Sequence, residues 1–474
     1  MQNTLTGSTP RPELRRMPPV ATLTATAGLI VSLVVGVTVE TSTLWGFAPI
    51  VLYGLLAALG MPILRATVVS VVSGLLILLP GARTALDMAG EAATDQVTVI
   101  GVVILLGGAL AEILRATGAA ATIVTAAMRF VGTSNTTAVA AGIMVTCLLL
   151  VGALGTLAGA LAVAVPVLLP IAARAGLTRS ATASAIFIGG CAGFAVAPFA
   201  SGNIAIMGAA DIGYLGYLLH GGGPLAVVSL VVGMLVVPWM QRRTRDLDDL
   251  YAPEELVATP TDDDAPTDRR ARRAAVAFTV TLAAVLVATL TTAGIVLPIV
   301  ALPLMAVATA LGGGMSPRAF AASAVRGASA LAWLFVLFFL LAVLFTAIAR
   351  INPFSVVLGS YGTDIAHLSP FLLAMTVALI GWVGIPGASA AQVVLVDKVF
   401  GELAAAAGIG AGVWVVVLLF SSKADTYGPL PNVNMLGVMG LCRSANVRNI
   451  LITGWAVLVP AVILYTALIW FGTM

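Results

Sequence analysis

Apolar stretches with almost no charge inside them set the bounds on this fold. They fall near residues 20–39, 45–61, 63–82, 98–116, 136–154, 225–240, 274–293, 295–311, 328–349 and 450–471. A helix needs roughly 20 apolar residues to cross a hydrocarbon core ~30 Å thick. In that solvent the backbone must satisfy its own hydrogen bonds, and runs of this length do so as helices. Only 9% of the 474 residues are charged and 60% are hydrophobic, where a soluble domain carries about 25% charged residues. The sequence therefore predicts an all-α polytopic membrane protein with about 10–12 transmembrane spans. The first stretch exceeds a signal-peptide core and no small-residue cleavage site follows it, so it reads as a retained helix.

The remaining charges are gathered elsewhere. Residues 241–273 hold 7 arginines and 9 carboxylates, together with Pro253, Pro260 and Pro266. Such a segment cannot bury a core and reads as a soluble, disordered linker between two transmembrane halves, 20–240 and 274–474. Arg242, Arg243 and Arg245 abut one flanking span, and Arg269, Arg270, Arg272 and Arg273 the other. By the positive-inside bias this places the linker, and with it the polar tail 1–19, on the cytoplasmic side of a plasma (inner) membrane. The net charge is only +3 and acids interleave the arginines, which argues against nucleic acid as a partner. Cys147, Cys191 and Cys442 lie in apolar stretches, and His220 and His367 stand alone, so no metal site is expected. A nucleophile elbow with triad partners and a phosphate loop are both missing from the sequence; neither enzyme activity nor a cofactor is expected.

Two stretches break the apolar pattern from within. Ser421-Ser422-Lys423-Ala424-Asp425-Thr426-Tyr427-Gly428-Pro429-Leu430-Pro431-Asn432-Val433-Asn434 places a cation, an anion, two prolines and two asparagines between apolar flanks. Each proline ring removes an N–H and clashes with the preceding turn, so the helix must stop. Pro198-Phe199-Ala200-Ser201-Gly202-Asn203 repeats the spacing, since Pro198 and Asn203 are five apart, as Pro429 and Asn434 are. Upstream, Gly155 and Gly176 lie 21 apart, and so do Gly387 and Gly408. The frames are offset by 232 residues at the glycines and by 231 at the prolines and asparagines. Interrupted apolar segments in matching places of two halves point to the binding site of a secondary transporter. Gly155-Thr156 and Pro386-Gly387-Ala388-Ser389 would open re-entrant hairpins, each followed by a broken helix, over about 152–208 and 384–440. The halves would then be inverted-topology repeats. Ordinary spans that tolerate proline and glycine, or a surface loop with a snorkelling Lys423, are the competing readings.

The polar residues at these points form the candidate substrate- and ion-binding set. They are Thr156, Ser201, Gly202 and Asn203 in the first half, and Ser389, Ser421, Ser422, Lys423, Asp425, Thr426, Asn432 and Asn434 in the second. A cation at mid-membrane can hold a substrate carboxylate, or occupy the place of a coupling Na⁺ and so favour H⁺. Asp425 would be its partner or the proton carrier. The asparagines would bond carboxylate or hydroxyl groups, and the hydroxyls would do the same or hold a cation through oxygen. Half-helix N-termini after each break would present N–H groups to an anion. In the frame of the prolines, Ala192 and Phe194 stand where Lys423 and Asp425 do, so the charge belongs to one half only. Asp397 and Lys398 are adjacent, so a helix points them apart and at least one faces water. The chain thus reads as a carrier of a small organic anion, coupled to H⁺ or Na⁺, in a lipid bilayer. A Na⁺/H⁺-type antiporter without organic substrate, and a membrane subunit that acts only with a partner protein, are the alternatives.

The pattern Gly155, Pro166, Pro170, Gly176, then Pro198 to Asn203, resembles the large membrane subunit of tripartite dicarboxylate carriers. Ser201-Gly202-Asn203 resembles the first-repeat signature of lactate permeases. Over about 140–215 and 375–445 the chain is similar to the ion-transporter superfamily of secondary carriers, which includes citrate and gluconate permeases. The resemblance implies a transport domain of two re-entrant hairpins and two broken helices beside a scaffold domain, an elevator-like mechanism and a homodimer. Lys423 is a departure, because many relatives are uncharged there, and it counts against Na⁺ coupling.

Overall fold

The computed structural model describes residues 19–39, 43–59, 61–131, 135–247, 249–252, 269–291, 296–353, 356, 360, 369–382 and 389–474. For Ser389, Lys423 and Asp425 it describes the backbone alone. The tail 1–18, the stretch 253–268 of the linker, and Pro386-Gly387 lie outside the described residues. Within them the secondary structure is helical, apart from one isolated bridge between Thr178 and Leu250. The protein is an all-helical polytopic membrane protein. Eight described helical segments are long and apolar enough to cross a bilayer, with shorter apolar helices of 10–17 residues beside them. Ten to twelve crossings would therefore need some of the shorter helices to take part.

The helices of the first half are α1 (Pro19–Thr38), α2 (Ala48–Ala58), α3 (Ile63–Leu78), α4 (Ala82–Thr94), α5 (Gln96–Ala116), α6 (Ala119–Val131), α7 (Thr136–Leu154), α8 (Leu157–Arg174), α9 (Arg179–Val196), α10 (Ser201–Ala209) and α11 (Tyr214–Tyr217). A wide turn at Leu218–Gly222 carries α11 into α12 (Gly223–Thr244). The second half holds α13 (Arg269–Thr291), α14 (Val296–Gly312), α15 (Pro317–Ala330), α16 (Ala332–Ile351), α17 (Pro370–Gly381), α18 (Ser389–Ala406), α19 (Ala411–Thr426), α20 (Val433–Leu441) and α21 (Val447–Thr473). The polar segment near 83–97, read as a loop or an interfacial helix, is helix α4.

The chain forms two compact units, and they do not follow the two sequence halves. One comprises residues 1–88 with 343–357 and the other residues 89–342 with 358–474. In the smaller unit α1 crosses α3 where a Cβ on Gly36 would lie 2.0 Å from the Leu76 carbonyl oxygen. Only glycine permits that approach, and close backbone contact is what drives helix pairing in lipid. The Ser32 and Ser73 hydroxyls meet at 2.7 Å across the same pair.

In the larger unit glycines again decide which helices touch. A Cβ at Gly189 or Gly193 of α9 would sit 2.3 Å from the Met144 or 2.4 Å from the Leu148 carbonyl oxygen of α7. Helices α5 and α15 meet in the same way at Gly108 and Gly327. Beside that crossing Glu112 takes Arg115 at 2.7 Å and Arg326 at 3.3 Å.

The start of the linker is ordered and serves as a clasp. Helix α12 continues to Thr244, so residues 241–244 belong to the helix rather than to the linker. Gln241 spans the turn before α9, accepting from Thr178 N at 2.8 Å and donating to Gly176 O at 2.8 Å. Asp249 caps α9 with its carbonyl on Arg179 N at 2.7 Å and its carboxylate on Ser180 N at 2.9 Å. Tyr251 lies under the Arg179 guanidinium and donates to Cys442 O at 3.3 Å, past the end of α20. A few linker residues thereby tie the first hairpin's turn to the second repeat.

Candidate functional site

The first repeat runs α8, turn, α9, break, α10. Gly155 ends α7 in the left-handed region at φ 67°, which an L side chain rarely adopts. Its missing side chain matters twice, because a Cβ there would lie 2.8 Å from the Phe199 carbonyl carbon. The hairpin tip therefore sits directly on the peptide between Phe199 and Ala200. Thr156 follows at the N-cap of α8, but its hydroxyl caps nothing. Its Oγ1 is buried and has no hydrogen-bond partner in the structure.

Helix α9 stops at Val196 because Pro198 disfavours helical backbone at the residue before it. Ala197 duly has φ −67° and ψ 119°. Ending a helix leaves carbonyls without intrahelical partners, and here four successive ones are satisfied by side chains. Asn203 Nδ2 donates to Phe194 O at 2.8 Å and Ala197 O at 2.9 Å. Tyr217 donates to Ala195 O at 2.6 Å, and Tyr214 to Val196 O. The other side of the break differs. Helix α10 has no side-chain cap, and among the described residues nothing accepts from the N–H groups of Ser201, Gly202 and Asn203. This break thus closes its carbonyl end and leaves its N–H end open, an arrangement suited to an anion rather than a cation.

The second repeat has the same order of elements, α18, turn, α19, break, α20, with different capping. The break spans 427–432 and turns at Gly428, φ 86°. Asn432 is the N-cap of α20, accepting from Met435 N at 2.9 Å while its Nδ2 donates to Thr426 O at 3.3 Å. Ser421 and Ser422 are buried, with hydroxyls turned back onto Leu418 O and Leu419 O. Thr426 is buried and Asn434 half-buried. Lys423 and Asp425 lie in the last turn of α19, their side chains outside the description. On α18, Asp397 takes the Trp414 indole N–H at 2.9 Å and Lys398 is exposed, so the adjacent pair does point apart.

Several residues of the site are absent from the sequence reading. Gln392, 3% exposed, donates to Ser421 O at 2.7 Å from α18. Trp382 donates to Phe420 O at 2.7 Å, and Trp455 to Pro429 O at 3.0 Å. Tyr427 within the break meets Ser229 of α12 at 2.8 Å. A lone glutamine, or a tryptophan or tyrosine in an apolar helix, was the available signal, since each carries a polar group that must find a partner when buried.

The two repeats interlock. Half-helix α10 packs on α18 of the other repeat, and half-helix α20 packs on α8 and α9. Buried polar pairs join them further, Ser184 with Thr453 at 2.7 Å and Asn449 with Ser180 at 2.9 Å. Helices α8 and α18, and likewise α10 and α20, start 232 residues apart. Asn203 is consequently the third residue of α10, whereas Asn434 is the second of α20. The pairing of these two asparagines at offset 231 is one step out of the structural frame, about 100° around a helix.

In fold the chain is similar to the YdaH transporter of Alcanivorax borkumensis, whose crystal structure is described as having an unusual topology. The TM-score is 0.56 at 16% sequence identity, over 96% of this chain and 98% of that one. No protein-family profile and no curated protein matches the sequence.

Proposed function

We propose that the protein is a secondary active carrier of a small organic carboxylate, coupled to H⁺ or Na⁺ and working by an elevator-like movement. The observation that carries this reading is the twofold unit of hairpin and broken helix, with each half-helix seated on the other repeat's hairpin. A soluble enzyme or a passive scaffold has no use for two interrupted helices in a membrane, where freed backbone groups survive only against protein or a cavity. The fold likeness to a protein described as a transporter supports the same class.

At the first break the substrate carboxylate would take the open N–H groups of Ser201, Gly202 and Asn203. The Thr156 hydroxyl, buried and unsatisfied beside that peptide, would donate to it as well. Lys423, in the last turn of α19, is stabilised as a cation by the helix dipole and would neutralise the substrate or replace a coupling Na⁺. Asp425 would then exchange the proton.

Purified protein reconstituted in liposomes tests the proposal. Concentrative uptake of an organic acid driven by a proton or sodium gradient is the expected result. Salt-driven proton efflux without organic uptake would instead make it a cation antiporter, and activity only after a second protein is added would make it a partner-dependent subunit.

A further inference from the structure

A second site lies away from the breaks, at the start of α13. A groove of about 600 Å³ is lined by Arg269, Arg272 and Arg273 at one end and by Val276, Val280 and Ala308 of α14 beyond them. The arginines stand at i, i+3 and i+4, so one helical face carries them all, and Val276 and Val280 continue that face by one and two turns. All three arginines are exposed. Val276 and Val280 are 55% and 61% exposed. None of the three arginines forms an ion pair with a described residue, where Arg115 and Arg326 both have Glu112. They also sit in the first turn of a helix, where its dipole disfavours cations. Helix stability therefore does not account for the cluster.

We propose that this groove binds an anionic phospholipid, with the phosphate held by Arg269, Arg272 and Arg273 and an acyl chain laid along Val276, Val280 and Ala308. Charge complementarity names the occupant. A guanidinium fork takes phosphate oxygens in pairs, and a groove basic at one end and apolar along its length matches an amphiphile rather than a free anion. Helices α13 and α14 are held together beside it by Gly312, where a Cβ would lie 2.8 Å from Arg273 O and 3.0 Å from Ala277 Cβ. The groove wall is thus rigid rather than formed by loops.

The test uses the full chain, purified and delipidated in neutral detergent, with thermal stability followed against added phosphatidylglycerol, phosphatidylcholine of the same chains, and inorganic phosphate. Phosphatidylglycerol is expected to raise the melting temperature saturably, and the other two are not. The triple variant Arg269→Gln, Arg272→Gln, Arg273→Gln is expected to weaken that response roughly tenfold or more. Should that variant fail to fold, Ala308→Phe fills the apolar end with every charge retained and is expected to weaken the response as well. A control triple variant, Arg242→Gln, Arg243→Gln, Arg245→Gln, is expected to keep it. An equal effect of phosphatidylcholine, reproduction by phosphate alone, an equal loss in the control, or an unchanged response in Ala308→Phe would each overturn the proposal.

Discussion

At the scale of single residues, two polar groups near the first break have opposite fates. Asn203 gives its amide to backbone carbonyls and so helps build the break, which its carbonyl oxygen alone leaves free to serve a ligand. Thr156 keeps a buried hydroxyl without a partner. Both residues stood out in the sequence, but the direction of a side chain is decided by neighbours that the sequence does not place. The consequence is measurable. Thr156→Val removes an unsatisfied hydroxyl at constant shape and is expected to stabilise by up to about 1 kcal/mol. It should nevertheless lower the apparent affinity for substrate. Thr146 of α7 also has an unpartnered buried hydroxyl, and Thr146→Val should stabilise similarly with uptake unchanged. Equal uptake in the two variants would remove Thr156 from the site. A second expectation concerns the charges in α19. If Lys423 and Asp425 only pair with each other, either single alanine variant should cost ~3–5 kcal/mol and the double variant should recover both stability and transport. We expect stability to recover and transport to stay lost, because the first repeat builds its break with Ala192 and Phe194 in the matching frame. Melting temperature and uptake measured on all three variants decide it.

At the scale of elements, the repeat was visible in the sequence because proline and left-handed glycine leave marks that side-chain packing does not. Gly155, Gly176 and Gly408 all have positive φ at helix ends, as their spacing suggested. The lengths of the breaks were not visible. The first spans 197–200 and the second 427–432, and that difference shifts the asparagine frame by one residue. Nor does the sequence distinguish a glycine that permits a helix crossing from one that merely sits in a helix. The structure does, and the distinction predicts stability. Gly189→Ala would drive a Cβ into the Met144 carbonyl and is expected to cost about 1–3 kcal/mol or more by overpacking. Gly440→Ala on α20 meets nothing within 4 Å, and should stabilise by as much as ~1 kcal/mol through helix propensity. Thermal melts of the two variants in one detergent would show the sign change, and a matching loss in both would refute the packing argument.

At the scale of the molecule, the sequence divided the chain at its charged linker, whereas the packing divides it elsewhere. Charge density marks where a chain leaves the membrane, but not which helices meet after it returns. Within the larger unit the two repeats exchange half-helices and share buried hydrogen bonds, so α9 and α21 are joined by Ser184 with Thr453 and by Ser180 with Asn449. Sliding these helices past each other would strand buried hydroxyls and an amide with no water to replace the lost partner, at roughly 1–3 kcal/mol each. Helices α9 and α21 are accordingly expected to stay together through any transport movement. The Ser184 and Thr453 oxygens lie 2.7 Å apart, close enough for the double variant Ser184→Cys, Thr453→Cys to reach a disulfide S–S length of about 2.0 Å after small adjustment. The native cysteines Cys147, Cys191 and Cys442 are all buried and should contribute little background. Oxidation should form the cross-link in high yield, and uptake into liposomes should be the same before and after reduction. Transport that stops on oxidation and returns with reductant would mean that α9 and α21 move relative to one another, and that the moving body divides the interlocked repeats rather than carrying them together.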